Sequence, residues 1–366
     1  MSIPHPQEIY DALRTTVIGQ DEALREVSVS LVKHLGGHPA PNILIIGNSG
    51  SGKTTLMKAV ERWLGSRPET ASLANLVRIN ANVLAEEHAG YGRTVLMRLW
   101  AQARRKQGKS APVESIVGAV ERGIVFIDEV DKIRAHVGPT PNVRGIVAQE
   151  SLLTLMENEN VELDPPGEQR GAISINTSGI LFVAGGAFEE LYDSVLRRAL
   201  TGSDQAPLRP VVVVSSSGEV REELPFHLRD YLRYEDLFAF GITPQFISRF
   251  ESIIVLNDLV EEQLSKIFVE PEGSIFRVSR EYFRQFDVDL QITRGAIRSI
   301  AWEASRHKRL GARALKEIFR KIIRELEFAP VAPAGEGGRK ILIIDEERVR
   351  KAIGPERRTQ SAERRT

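Results

Sequence analysis

The run Ile43-Leu44-Ile45-Ile46-Gly47-Asn48-Ser49-Gly50-Ser51-Gly52-Lys53-Thr54 decides the architecture of this chain. A short apolar segment feeds a glycine-rich turn, and Thr55 to Leu64 then read as a helix. The spacing Gly-x4-Gly-Lys-Thr in a strand–loop–helix setting is that of a phosphate-binding loop. Gly47, Gly50 and Gly52 let backbone N–H groups turn inward around phosphate oxygens, and the helix N-terminus adds its positive end. Lys53 brings a point charge to the β- and γ-phosphates, and the Thr54 hydroxyl is the expected Mg2+ ligand. Asn48, Ser49, Ser51 and Thr55 fill out the same expected nucleotide contact.

A second stretch, Gly123 to Lys132, has the same logic. Its apolar body Ile124-Val125-Phe126-Ile127 ends on Asp128 and Glu129. Buried runs that end in carboxylates place them at the carboxyl edge of a parallel sheet, where α/β proteins bind ligands. Asp128 is expected to hold the Mg2+ shell and Glu129 to polarise the attacking water.

Outward from these stretches, five apolar runs read as strands: Asn42–Gly47, Leu76–Asn80, Ile124–Asp128, Ile180–Gly185 and Ser252–Leu256. Helical patterns such as Val95–Arg105 and Ile146–Glu157 lie between them, so the expected fold is α/β, a doubly wound and mostly parallel sheet. Past Asn257 the character changes. Leu259–Phe268, Arg294–His307 and Ala312–Phe328 read as amphipathic helices, Ala329–Arg339 as a Pro/Gly turn region, Lys340–Ile344 as a strand and Glu346–Ile353 as a helix. The expected organisation is a large domain over 1–256, a smaller, mainly helical domain over 257–355 and a disordered polar tail over 356–366. A nucleic-acid-binding arm is the other reading of that arginine-rich tail.

Composition narrows the function. The 366 residues hold 49 Lys+Arg against 49 Asp+Glu, so no bulk basic field argues for nucleic acid. Cysteine is absent, which rules out disulfides and cysteine-ligated zinc and suits a reducing compartment. Met1 to Thr16 shows no charged segment followed by an apolar one, and no apolar run is long enough to span a membrane, so the expected location is cytoplasmic. His34 and His38 have the spacing of a metal pair on a helix, but Gly36 and Gly37 between them read as a helix end. No nucleophile or metalloprotease motif is present, which argues against a protease site in this chain.

The order of these motifs resembles the AAA+ ATPases, most closely the ClpX-type protein unfoldases, with HslU as a near relative. The similarity runs from about Val17 to Ile353. Val17-Ile18-Gly19-Gln20-Asp21-Glu22-Ala23 resembles the segment that packs on adenine, so Val17 and Ile18 are expected at the base. Gly179–Phe188 resembles the sensor-1 strand, although Ala184, Gly185 and Gly186 offer no residue to position water. Phe240–Phe250 resembles the arginine-finger segment, which implies that Arg249 acts on the nucleotide of a neighbouring subunit. Leu310–Leu315 resembles sensor 2, which implies that Arg313 reaches the nucleotide from the small domain of its own subunit. A guanidinium near a γ-phosphate in transit stabilises its spread charge.

The resemblance implies ATP and Mg2+ as cofactors, a homo-oligomeric ring that is a hexamer in the family, and protein substrates. His88–Arg93 resembles the first pore loop, with Tyr91 as the residue that grips an extended chain; the branched residue that follows the tyrosine in the family is missing. The apolar-Gly-Phe tripeptide with which the family docks on a peptidase ring is missing from Leu200–Leu237, which argues against ClpP as a partner. The zinc-binding module of ClpX is likewise expected to be absent. The expected function is ATP-driven unfolding or remodelling of proteins. An AAA+ loader acting on nucleic acid and a scaffold ring controlled by nucleotide are the alternatives.

Overall fold

The computed structural model describes residues 3–67, 70, 75–86, 91–108, 110–157, 160–165, 171–202, 207–214, 220–330 and 340–354. The chain forms two compact units, Met1–Asp258 and Leu259–Thr366.

The first unit is built on a five-stranded sheet. Its strands are β1 (Ile43–Ile46), β2 (Leu76–Asn80), β3 (Ile124–Asp128), β4 (Leu181–Gly186) and β5 (Ser252–Val255). Their spatial order is β5-β1-β4-β3-β2, and every pairing is parallel. All four residues of β1 are buried, as a strand covered on both faces requires. The pleat then sorts the strand residues by parity. Leu44, Ile46, Val125, Ile127 and Phe182 pack into one core, with helices that include Tyr91–Gln107, Val143–Met156 and Glu189–Thr201. Ile43, Ile45, Ile124, Phe126 and Val183 face the opposite way, onto helices Pro6–Arg14, Asp21–Leu35 and Lys53–Gly65. This is the doubly wound α/β arrangement expected from the alternating pattern.

Two departures from the expected limits bear on the site. Helix Lys53–Gly65 starts ahead of the expected Thr55, because Gly52, at φ 112°, ends the loop immediately before the lysine. Helix Tyr91–Gln107 starts well before Val95, so Tyr91 is the first residue of a helix and not the tip of a loop. No proline stands between Tyr91 and Val95 to stop the helix from extending back. His88, Ala89 and Gly90 of that segment lie outside the described residues. Within Leu200–Leu237, Val211–Val214 pairs antiparallel with Val220–Glu223, while Ser215–Gly218 lie outside the described residues.

The second unit contains helices Glu261–Val269, Ile275–Arg284, Arg294–Ser305, Ala312–Phe328 and Glu346–Ile353. Strands β6 (Val288–Ile292) and β7 (Lys340–Ile344) pair in parallel beside them. Its core gathers Leu264, Phe268, Phe283, Leu290, Ile300, Leu315, Phe319 and Ile344, with Phe268 and Phe319 edge to face at 5.0 Å. Side chains cap the helix starts. Ser274, Thr293 and Asp345 accept from the N–H groups of Arg277, Ala296 and Arg348. The turn residues 331–339 and the tail 355–366 lie outside the described residues.

Candidate functional site

Register brings the motifs together. Ile46 pairs with Gly186, Asp128 pairs with Gly185, and Asn80 pairs with Asp128. The loop that begins at Gly47, the acids that end β3, the small residues that end β4 and the asparagine that ends β2 therefore share one sheet edge. It is the carboxyl edge, where the topology reverses between β1 and its neighbours β4 and β5.

The loop has the form a phosphate cradle needs. Gly50 and Gly52 have φ of 72° and 112°, a region that side chains disfavour. A Cβ on Gly47 would lie 2.8 Å from both Leu256 Cβ and Ser51 Oγ, so the loop closes only around glycine. The Ser51 N–H donates to Asn48 O at 3.1 Å. Lys53 is buried; its Nζ donates to the carbonyl oxygens of Gly47 and, at 3.0 Å, of Asn48. Its alkyl chain lies on Gly185, where a Cβ would come within 3.7 Å of Lys53 Cδ. The smallness of the β4 end thus makes room for the lysine. Thr54 and Thr55 open the helix with exposed side chains. Ser51 Oγ is a buried hydroxyl without a hydrogen-bond partner among the described residues. Glycines with positive φ, a buried lysine beside the loop carbonyls and an unsatisfied hydroxyl fit a nucleoside triphosphate. The hard oxygen donors of Thr54 and Asp128 fit Mg2+, which keeps few protein ligands when it sits on phosphates.

Glu129 adopts φ 59°, a left-handed conformation unusual for a non-glycine residue. Strain of this kind clusters at active sites. Its N–H bonds Asp128 Oδ1 at 3.0 Å. Its Oε2 accepts from Asn80 Nδ2 at 2.9 Å and from Asn82 Nδ2 at 3.1 Å. Just beyond, buried Asp131 accepts the N–H of Ala187 at 3.1 Å through Oδ1. A Cβ on Gly186 would strike that oxygen at 2.6 Å. The end of β4 is therefore tied to the acid turn by Asp131.

Gln20 braces the loop from the N-terminal side. It is 1 % exposed, and its Nε2 donates to Ser51 O at 3.0 Å and to Asn257 O at 2.9 Å. Its Oε1 accepts the Asn257 N–H at 2.9 Å. Asn48 Nδ2 donates to Asp258 Oδ1 at 2.8 Å. Val17 is 4 % exposed and lies near the loop, 3.9 Å from where a Gly52 Cβ would stand, while Ile18 is half-buried.

Two arginines complete the expected set. Arg249 lies after the short helix Pro244–Ile247 and pairs with Glu157 at 2.9 Å. Among the described residues it makes no hydrogen bond or ion pair with the phosphate loop, Asp128 or Glu129. Arg313 is exposed on the first turn of helix Ala312–Phe328 in the second unit. His34 lies in the last turn of helix Asp21–Leu35, and its Nε2 faces Arg122 O at 3.1 Å. Among the described residues, no group of three or more His, Asp or Glu is placed to hold a metal ion. None of those residues forms a helix long and apolar enough to cross a membrane.

The contacts of Asn80, Asn82 and Asp131 and the bracing role of Gln20 lie outside the motifs visible in the sequence. Asn80 was findable, because it ends a strand at the same edge as Asp128. The others depend on contacts between distant segments.

The comparisons with known proteins agree with this geometry. The model of the AAA domain (Cdc48 subfamily) matches residues 38–253. The ATP-dependent Clp protease ATP-binding subunit ClpX of Treponema denticola is 30 % identical over 366 residues, covering 95 % of this chain and 82 % of that protein. The protein of the same name from Borrelia duttonii is 30 % identical and covers 93 % and 77 %. That from Bacteroides thetaiotaomicron is 31 % identical and covers 89 % and 77 %. With a phosphate loop, paired acids and a five-stranded sheet in the order found here, the chain belongs to the AAA+ ATPases, in their ClpX-type branch.

Proposed function

We propose that this ATPase drives the unfolding or remodelling of protein substrates, working as a ring of identical chains. The observation that carries the reading is the convergence of Gly47–Thr54 with Asp128 and Glu129 at one sheet edge, in a chain aligned along most of its length with ClpX proteins.

The residues divide the work. Backbone N–H groups from Gly47 to Thr54 bind the phosphates, and Lys53 moves its charge-assisted bonds from loop carbonyls to phosphate oxygens. Val17 and Ile18 lie against the base. Thr54 and Asp128 would hold Mg2+, which would neutralise phosphate charge. Glu129 accepts a proton from the attacking water, with Asn80 and Asn82 fixing one carboxylate oxygen and leaving Oε1 for the water. Arg249 reaches the nucleotide of the neighbouring subunit, and Arg313 reads the nucleotide of its own. Tyr91 contacts the polypeptide being moved. The balanced charge and the absence of cysteine favour protein over nucleic acid as substrate, and the cytoplasm as the site of action.

The test is ATP-dependent loss of fluorescence from a stable fluorescent protein carrying an unstructured tail. The reading predicts loss with ATP and none with the Glu129→Gln chain. Hydrolysis that is stimulated by single-stranded DNA, while the fluorescent protein stays folded under every condition, would overturn it.

A further inference from the structure

Arg249 is held in a way its surroundings make specific. Buried Phe246, Ile247 and Phe250 anchor the segment that carries it. Thr243 caps the short helix before it, with its Oγ1 accepting from the Phe246 N–H at 3.4 Å. Asn42 Nδ2 donates to Arg249 O at 3.0 Å. These contacts fix the backbone and leave the side chain to be placed. Among the described residues the guanidinium has one polar partner, Glu157, with Nη2 and Oε1 2.9 Å apart. Arg249 Nε is buried without a partner.

Glu157 stands at the end of helix Val143–Met156. The middle of the same helix carries Gln149, which is 1 % exposed. Gln149 Nε2 donates to Ile133 O at 2.7 Å and to Gly241 O at 3.0 Å, and its Oε1 accepts from Thr243 N at 2.9 Å and Oγ1 at 3.0 Å. Thus one helix grips the turn that follows Glu129, the backbone of the Arg249 segment, and the Arg249 guanidinium.

We propose that Glu157 is a positioning residue for Arg249, aiming its guanidinium at the nucleotide of the neighbouring subunit. The proposal rests on the in-trans role of Arg249 given above. A guanidinium has five N–H donors, so an oriented pair through Nη2 leaves others for phosphate. Both partners are about one-third exposed, at 39 % and 34 % of the side chain. Exposed ion pairs of this kind add little to stability. A contact with little stabilising value that fixes a long, mobile side chain acts on orientation, and misplacement by about 1 Å can slow a reaction by up to about a hundredfold.

The experiment uses mixed assemblies of full-length chains. Wild-type chains are combined with an excess of donor chains that carry Glu129→Gln and do not hydrolyse ATP themselves. Three donors are compared at equal incorporation: Glu129→Gln alone, with Glu157→Ala added, and with Arg249→Ala added. Hydrolysis then reports the arginine that the donor lends to its wild-type neighbour. The Glu157→Ala donor is expected to lower kcat about tenfold relative to the parent donor, with KM and the thermal midpoint nearly unchanged. Glu157→Gln, which keeps an acceptor oxygen, should fall between the two and serves if the alanine chain fails to assemble. If the Arg249→Ala donor lowers kcat and neither Glu157 donor does, the positioning role is wrong while the arginine reading stands. A higher kcat with Glu157→Ala would mean that the pair restrains Arg249, and would also overturn the proposal. If the Arg249→Ala donor behaves like the parent donor, the in-trans reading itself fails, and this inference with it.

Discussion

Replacing Gln20 with Leu tests whether the phosphate loop is braced from outside itself. Leu keeps nearly the volume of Gln and removes every polar atom. Three hydrogen bonds are lost, a buried one to Ser51 O and two part-buried ones to Asn257 O and Asn257 N–H, at 2.9–3.0 Å. A typical net contribution is about 1 kcal/mol per bond, and each abandoned backbone group adds a desolvation penalty that pushes the figure upward. The expected loss is therefore about 3 kcal/mol. In a domain of this size, 1 kcal/mol moves the melting midpoint by about 2–4 °C, so the first unit should melt about 6–12 °C lower. The Ser51 carbonyl loses its tether, so nucleotide affinity should weaken several-fold as well. Calorimetry of the full chain, together with titration of a fluorescent ATP analogue, reads both. A midpoint within about 2 °C of wild type and unchanged affinity would refute the bracing argument. A lower midpoint with intact affinity would restrict Gln20 to a structural role.

Further outcomes follow from the acid turn and from His34. Removing both amides that hold Glu129 Oε2, by Asn80→Ala with Asn82→Ala, should lower kcat about tenfold or more while ATP binding persists, as steady-state hydrolysis and nucleotide titration can show. A faster double variant would mean that the asparagines restrain the glutamate instead. Burial pushes the His34 imidazole down from 6.5 to about 4. It is neutral in the fold where the unfolded chain takes up a proton, so its stabilising contribution is whole above about pH 6.5 and is lost as pH falls towards 4. Denaturant unfolding should show His34→Gln with a flatter stability profile over that window; an unchanged slope would contradict the burial argument.

The parts of the molecule that were legible in the sequence are those in which local pattern and tertiary demand agree. The strand before Gly47 and the strand ending on Asp128 were readable because burial on both faces leaves unbroken apolar runs, and β2 matches its expected limits at Leu76 and Asn80. Helix Ala312–Phe328 was readable because its apolar stripe lies on one face throughout. Helix Ile275–Arg284 and strand Val288–Ile292 escaped the reading. In the helix, charged residues separate Phe276 from Phe283, and in the strand, polar residues alternate with apolar ones over only five positions. The site divides in the same way. Lys53, Thr54, Asp128 and Glu129 are marked by local motif. Gln20 reaches Ser51 and Asn257, Gln149 reaches Gly241 and Thr243, and Glu157 reaches Arg249, across separations that no local pattern encodes. Tyr91 shows the limit of reading by likeness. The segment resembles a loop, yet its backbone has already entered the helix at that residue.

The most direct test of the central claim is ATP turnover and ATP binding measured side by side in the Glu129→Gln chain. Binding close to that of the wild-type chain is expected, with turnover lower by about two orders of magnitude or more, because the amide keeps the shape of the carboxylate and cannot take the proton. Turnover near the wild-type rate would contradict the assignment of Glu129 and, with it, the reading of this sheet edge as the hydrolytic site.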